Sequence, residues 1–459
     1  MSNRFTPPDP GEPSIVRFPS LQKAALDSGL QVWSIPHTAL PVATVALAVP
    51  FGSRHDPQDQ PGLAGVVADM FDEGAGDRDA IGLAAAFASL GTEISVDIGP
   101  DVTTLSLTVL SRCFEPAVEL LFDIVARPRF EESDFLRVVE MRLNRLRQLR
   151  SSASAIADRA LLRGVFGAHP YGHSTFGTTA ALEGFSLDDV RACHGRVVTP
   201  VGSTCIVAGD VEAGLVQEVV ARQARRWSAV ASHVAAPAPV VPVDQPPKLW
   251  LVHRPGSPQT EVRVGHLGPS RHVDAYHALV TLNAVLGGQF TSRINLNLRE
   301  ARGLTYGAHT GFDFRVAGGA FSCDTAVQAD ATPLAVREIL AEFAAVGGAR
   351  PAEGDELARA KSSLTRGYVR HFETPAHLAH AAVRLATFGL PEDTFARYVP
   401  GVEAVTAADV SAAAVRHVRP SDATIVLVGD GSTWRDALDE FGRTIEEIED
   451  VDPAGGTGE

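Results

Sequence analysis

A chain of 459 residues is longer than one ordinary hydrophobic core organises, so two or more domains are expected. Apolar residues make up 45% and charged residues 21%, the proportions of a globular protein in water. A net charge of −15 argues against nucleic acid as a partner, because phosphate binding needs a basic surface; cationic peptides or basic proteins fit that charge better.

Residues 1–25 form an N-terminal arm that opens "MSNRFTPPDPGEPS", with neither an apolar core segment nor an arginine-rich amphipathic pattern. The longest greasy stretch, "LPVATVALAVPF", is about half a membrane span and carries prolines at both ends. No membrane partner is expected, and the cytoplasm is the expected location. Cys113, Cys193, Cys205 and Cys323 are widely spaced and never form C-x-x-C, which reads as free thiols in a reducing compartment.

"LQVWSIP" and "VATVALAV" read as the first strands. "PGLAGVVADMFDEGAG", residues 61–76, reads as a helix closed by glycines. Leu63, Val66, Val67, Met70 and Phe71 make its apolar face, and Gly65, Asp69, Asp72 and Glu73 share the other side. Two more strands, "EISVDI" and "TTLSLTV", precede a long helix opened by "ARPRFEESDF". Its arginines 137, 142, 145, 147 and 150 read as a solvated flank or a docking surface. His169-Pro170-Tyr171-Gly172 reads as a structural turn.

"SLDDVRACHGRVVTPVGSTCIVAGD" (186–210) then aligns without a gap on "TAADVSAAAVRHVRPSDATIVLVGD" (406–430), at a constant offset of 220. Both copies read as a Ser/Thr-x-x-Asp capping box, a short helix, a proline-bearing loop and a buried strand. The Ala/Pro-rich segment 228–247 lies between the repeats as a linker. The second half repeats the strand pairs as "KLWLVH", "TEVRVGH", "LTYGAHTG" and "GAFSCDTA". The expected class is α+β, with two duplicated α/β sandwich domains, 26–227 and 248–440. Each has a mostly antiparallel sheet with helices on one face. An acidic tail, 441–459, is expected to be disordered.

Residues 286–312, "LGGQFTSRINLNLREARGLTYGAHTGF", resemble the signature of the pitrilysin/insulinase superfamily, whose members include the mitochondrial processing peptidase subunits. A Gly-rich turn, Ser-Arg, a helix ending Leu-Arg-Glu and Gly-Leu-x-Tyr entering a strand make up that pattern. The duplicated halves, His169–Gly172 and the strands ending Gly-Asp extend the likeness over nearly the whole chain. The resemblance implies a clamshell of two two-domain halves around a peptide-sized chamber.

Active relatives bind zinc through H-x-x-E-H on a helix, with a glutamate about 76 residues further along as third ligand. The resemblance places Gly65 and Asp69 at the two histidines, Ala68 at the catalytic glutamate and Arg145 at the third ligand. Val138 takes the place of a supporting acidic residue. No metal is expected in this chain, and Asp69 and Arg145 are expected to pair where the ion would have been. His377 and His380 lack a third ligand in sequence and are not read as a metal site.

Arg299 and Tyr306 keep the family's seven-residue spacing. The resemblance gives them substrate-binding and oxyanion-stabilising roles in the chamber. It implies a zinc-less subunit of a heterodimer whose homologous partner carries the zinc and cleaves peptides. A scaffold of the same fold, like the core proteins of the respiratory cytochrome reductase complex, is the first alternative. An independent hydrolase with an unorthodox metal site is the second.

Overall fold

The computed structural model describes residues 17–227 and 246–448. Nearly all of the expected linker lies outside them. The first sheet is built from β1 (Gln22–Ala25), β2 (Gln31–Pro36), β3 (Val42–Val49), β4 (Ser95–Ile98), β5 (Thr103–Leu110) and β6 (Thr204–Gly209), in the order β1-β2-β6-β3-β5-β4. The second comprises β7 (Leu249–His253), β8 (Gln259–Gly268), β9 (Ala308–Asp313), β10 (Gly319–Gln328), β11 (Thr424–Gly429) and β12 (Ile445–Glu447), in the order β12-β7-β11-β8-β10-β9.

Five strands of each sheet match in order and direction. The β2–β6 and β7–β11 pairs are parallel, and the other three pairs of each set are antiparallel. The capping boxes form in both copies, Ser186 with Asp189 and Thr406 with Asp409, and the strands that follow are buried throughout. The sixth strands differ: β1 runs antiparallel to β2, whereas β12 runs parallel to β7. Both come from segments that the sequence assigned to the arm and the tail, so ordered structure begins before residue 26 and continues past 440.

Each sheet is covered on both faces, not one. In β2, β3 and β6, Val32, Val45, Leu47, Cys205 and Val207 face the helices of their own half. The alternate residues Trp33, Ile35, Ala46, Ala48, Ile206 and Ala208 pack on Leu378, Ala379, Ala382 and Leu385 of the helix Pro375–Phe388, which belongs to the other half. The exchange is mutual, since the helix Ala153–Phe166 packs Ile156, Ala160 and Phe166 on Trp250, Val252, Val426 and Val428. Small residues let these helices approach closely: a Cβ on Gly164 would lie 2.8 Å from the Thr424 methyl. Burying each large apolar side chain contributes roughly 1.5–3 kcal/mol, so the exchange ties the halves together. Among the described residues no helix is long and apolar enough to cross a membrane.

All four cysteines are free; Cys193, Cys205 and Cys323 are buried, and Cys113 is half-buried. Burial pushes the Cys193 thiol up to about 11 and the Cys205 thiol up to about 12. Cys323 is raised by the same cause. In the native protein, only Cys113 should react promptly with a thiol reagent such as Ellman's, the others following only in denaturant. A second fast thiol at neutral pH would contradict this burial.

Candidate functional site

The opening helix is shorter than its sequence suggests, spanning Leu63–Asp69 with Met70 as C-cap; residues 70–73 form a turn before a two-residue ladder of Gly74–Ala75 with Arg78–Asp79. Its first turn is held by Asp56, a buried carboxylate that accepts from the backbone of Gly62 at 2.7 Å and Ala64 at 2.6 Å. His173 Nε2 meets the same carboxylate at 2.9 Å. Every residue from Leu63 to Ala68 is buried, including Gly65, which the sequence placed on the polar side.

Arg142 accounts for that burial. It lies on the helix Glu132–Ser151 and is 6% exposed. Its Nε donates to Asp69 Oδ2 at 2.7 Å, and Nη1 donates to the Thr175 carbonyl at 2.9 Å. A Cβ built on Gly65 would lie 2.7 Å from both terminal nitrogens of this guanidinium and 2.2 Å from the Thr175 oxygen. Arg142 in this position therefore requires glycine at 65, and the Thr175 carbonyl alone already excludes a side chain there.

The expected Asp69–Arg145 pair is thus corrected: the partner is Arg142. The stripe facing the core is Phe135, Val138, Arg142 and Leu146, whereas Arg145 lies off it, exposed, donating to Gln148 Oε1 at 3.1 Å. Three residues along a helix displace a side chain by about 4.5 Å axially and turn it by about 60°. Counting 76 residues from Asp69 selects Arg145; the apolar stripe selects Arg142. A cation inside an otherwise apolar stripe was the legible signal. Asp56, His173 and Thr175, which complete the arrangement, lie in loops with no periodic pattern to mark them. Arg137 adds a second grip by pairing with Glu73.

These residues do not fit a zinc ion. Gly65 and Ala68 offer no donor, and Asp69 is engaged by a guanidinium whose charge opposes a divalent cation. Among the described residues no three of His, Cys, Asp and Glu are grouped to hold a metal. His377 and His380 line a cleft in the second half.

Arg299 and Tyr306 occupy different ground. The helix Arg293–Asn295 continues as a π-helical turn, Leu296–Ala301, which carries Arg299. Its guanidinium lies 4.3 Å over the Phe290 ring and 3.3 Å from Glu300. Tyr306 precedes β9 instead of entering it and is 89% exposed, with no hydrogen-bond partner among the described residues. Asn295 clamps the two segments together: its amide donates to the Ala308 carbonyl at 2.7 Å and its oxygen accepts from the Ala308 backbone at 3.0 Å. Sequence reading missed Asn295, although it lies within the motif that drew attention to its neighbours.

Two family models match the chain: Insulinase (Peptidase family M16) over residues 32–179 and Peptidase M16 inactive domain over residues 184–364. An uncharacterized zinc protease of Mycobacterium tuberculosis is 27% identical over 419 residues, covering 89% of this chain and 92% of that protein. A non-peptidase homolog of Helicobacter pylori is 21% identical over 399 residues, covering 85% and 90%. A solved peptidase M16 inactive domain from Pseudomonas fluorescens superposes with a TM-score of 0.82 at 23% identity, over 89% of this chain and 98% of that one, which shows the same fold. The chain, with its duplicated halves and exchanged helices, belongs to the insulinase (M16) peptidase family.

Proposed function

We propose that this protein is the zinc-less, non-catalytic subunit of a heterodimeric processing-peptidase-like metallopeptidase. A homologous partner holds the zinc and cleaves peptides; this chain lends Arg299 and Tyr306 to the shared chamber. The observation that carries the reading is an asymmetry between the halves. In the first, a buried guanidinium and a glycine have closed the metal position around each other. In the second, Tyr306 is almost fully exposed, on a segment braced by Asn295, and Arg299 remains partly open. A phenol and a guanidinium held ready to donate suit a peptide carbonyl or a developing oxyanion. The peptide would add as a strand along a sheet edge, β4 being the candidate because it is the edge strand that packs beside the opening helix.

The test is to isolate the chain from its native cells with whatever accompanies it in stoichiometric amount. A companion bearing H-x-x-E-H supports the subunit reading. In that complex, Arg299→Ala or Tyr306→Ala should lower the peptidase rate by about 100-fold, as removal of one oxyanion donor does, without a change in melting temperature. Unchanged rates, or an assembly with no zinc-bearing chain, would favour the scaffold reading, which the non-peptidase homolog among its relatives also supports.

A further inference from the structure

The triplet Ser-Arg-His occurs twice, at 53–55 and at 270–272. Strand registers make the copies equivalent. Val45 of β3 faces Val207, and Val262 of β8 faces Leu427. Since Val207 and Leu427 are themselves related by the 220-residue repeat, β3 maps on β8 at an offset of 217. That offset carries Arg54 onto Arg271.

The two arginines differ in their counter-charge. Arg54 lies 3.4 Å from the carboxylate of Asp101, which stands on the turn between β4 and β5. The corresponding turn between β9 and β10, residues 314–318, has no acid and carries Arg315 instead. Arg271 is only 8% exposed, yet no carboxylate pairs with it among the described residues; its Nε, like that of Arg54, has no hydrogen-bond partner. Its guanidinium lies 3.6 Å over the ring of Tyr276. Burial and the nearby charge of Arg384 both push its pKa down, which is the mark of a cation short of an anion.

This guanidinium lines a cleft of about 840 Å³, within the range of small-molecule sites. Arg384 faces it from the helix Pro375–Phe388, exposed and without an ion pair among the described residues. Tyr368 and Tyr398, stacked at 4.0 Å, supply an aromatic wall. Of the two acids in the lining, Asp393 is bound to Arg397, leaving Asp274 alone against Arg271 and Arg384.

We infer that this cleft binds a small organic anion, with a carboxylate or phosphate on Arg271 and Arg384 and an aromatic body against the tyrosine wall. A buried cation is expensive to keep unpaired, and ring faces beside it favour a ligand with a flat apolar part. The site is separate from Arg142 and from the Arg299/Tyr306 pair, so it stands whatever becomes of the subunit reading.

The experiment is a calorimetric titration of the full chain with phenyl phosphate, benzoate, inorganic phosphate and the neutral benzyl alcohol. At least one ring-bearing anion should bind with a Kd below about 1 mM, benzyl alcohol should not bind, and inorganic phosphate should bind more weakly. Preference for phenyl phosphate over benzoate assigns a phosphate ester; the reverse assigns a carboxylate. Arg271→Leu should abolish binding while raising the melting temperature, because it removes an uncompensated charge. Arg384→Gln, on the exposed wall, should weaken binding about tenfold with the fold intact, and keeps the test valid if Arg271→Leu fails to fold. Failure of both ring-bearing anions to bind, or equal binding of benzyl alcohol, would overturn the inference. So would affinities unchanged in the variants that fold.

Discussion

Rebuilding the metal motif by Gly65→His, Ala68→Glu and Asp69→His should destabilise the protein severely and recruit no stoichiometric zinc. The first substitution does most of the damage. Gly65 sits in ordinary helical backbone, so its role is space and not conformation. A Cβ there would meet the Thr175 carbonyl at 2.2 Å, and that oxygen belongs to backbone that cannot swing aside. Even Gly65→Ala should therefore cost about 3 kcal/mol, the upper end of the usual range for overpacking. Ala68 is 1% exposed, so a glutamate in its place would bury a carboxylate among apolar neighbours. Removing Asp69 leaves the buried Arg142 without its anion, a further cost of about 1.5–3 kcal/mol taken alone, since Asp69 itself is 42% exposed and solvent screens the pair. Denaturant unfolding of each single variant and elemental analysis of the triple variant give the readout. A triple variant that is as stable as the parent and holds one zinc per chain would show that Arg142 yields the site freely.

The duplicated architecture was legible because the repeat preserves an unbroken offset through helix cap, loop and strand. The exchange of helices was not read, though its signal was present. "CIVAG" and "IVLVG" are apolar at every position, and an uninterrupted apolar run implies burial on both faces. Which helix covers the second face depends on contacts between residues far apart in sequence, and no local pattern names it. The strand Ile445–Glu447 escaped for the opposite reason: it is mostly charged and exposed, and backbone pairing to β7 holds it in place. At the candidate site, the resemblance identified the correct helices and the correct kind of partner for Asp69. It misassigned the arginine because a fixed count along the chain knows nothing of which side chain faces the core.

Asp101→Ala should be the other strongly destabilising change, and its cause lies where the halves meet. Asp101 is 6% exposed and accepts from Tyr171 Oη at 2.5 Å and from the Val316 backbone at 3.1 Å, while pairing with Arg54. Tyr171, the tyrosine of the His-Pro-Tyr-Gly turn, is fully buried, and its hydroxyl in turn accepts from the Ala317 backbone at 3.3 Å. Burial and the hydrogen bond to Asp101 push its phenol well above the usual range, so it stays a neutral donor. Arg315 closes the junction, lying 4.8 Å over the rings of Phe166 and Tyr171 and donating to the Tyr171 carbonyl. One carboxylate therefore joins the first sheet's turn, the His-Pro-Tyr-Gly turn and the second sheet's turn. Alanine there strands a cation, a hydroxyl and an amide at once, for an expected loss of about 3–5 kcal/mol. Tyr171→Phe removes only one hydroxyl and should cost about 1–2 kcal/mol, and the double variant should cost less than the sum. Hydrogen exchange should accelerate together at residues 99–102, 170–172 and 314–318. A loss under about 1 kcal/mol, or acceleration confined to the first of these segments, would mean the exchanged helices alone hold the halves together. The change would also leave Arg54, half-buried, without an anion, as its buried counterpart Arg271 already is.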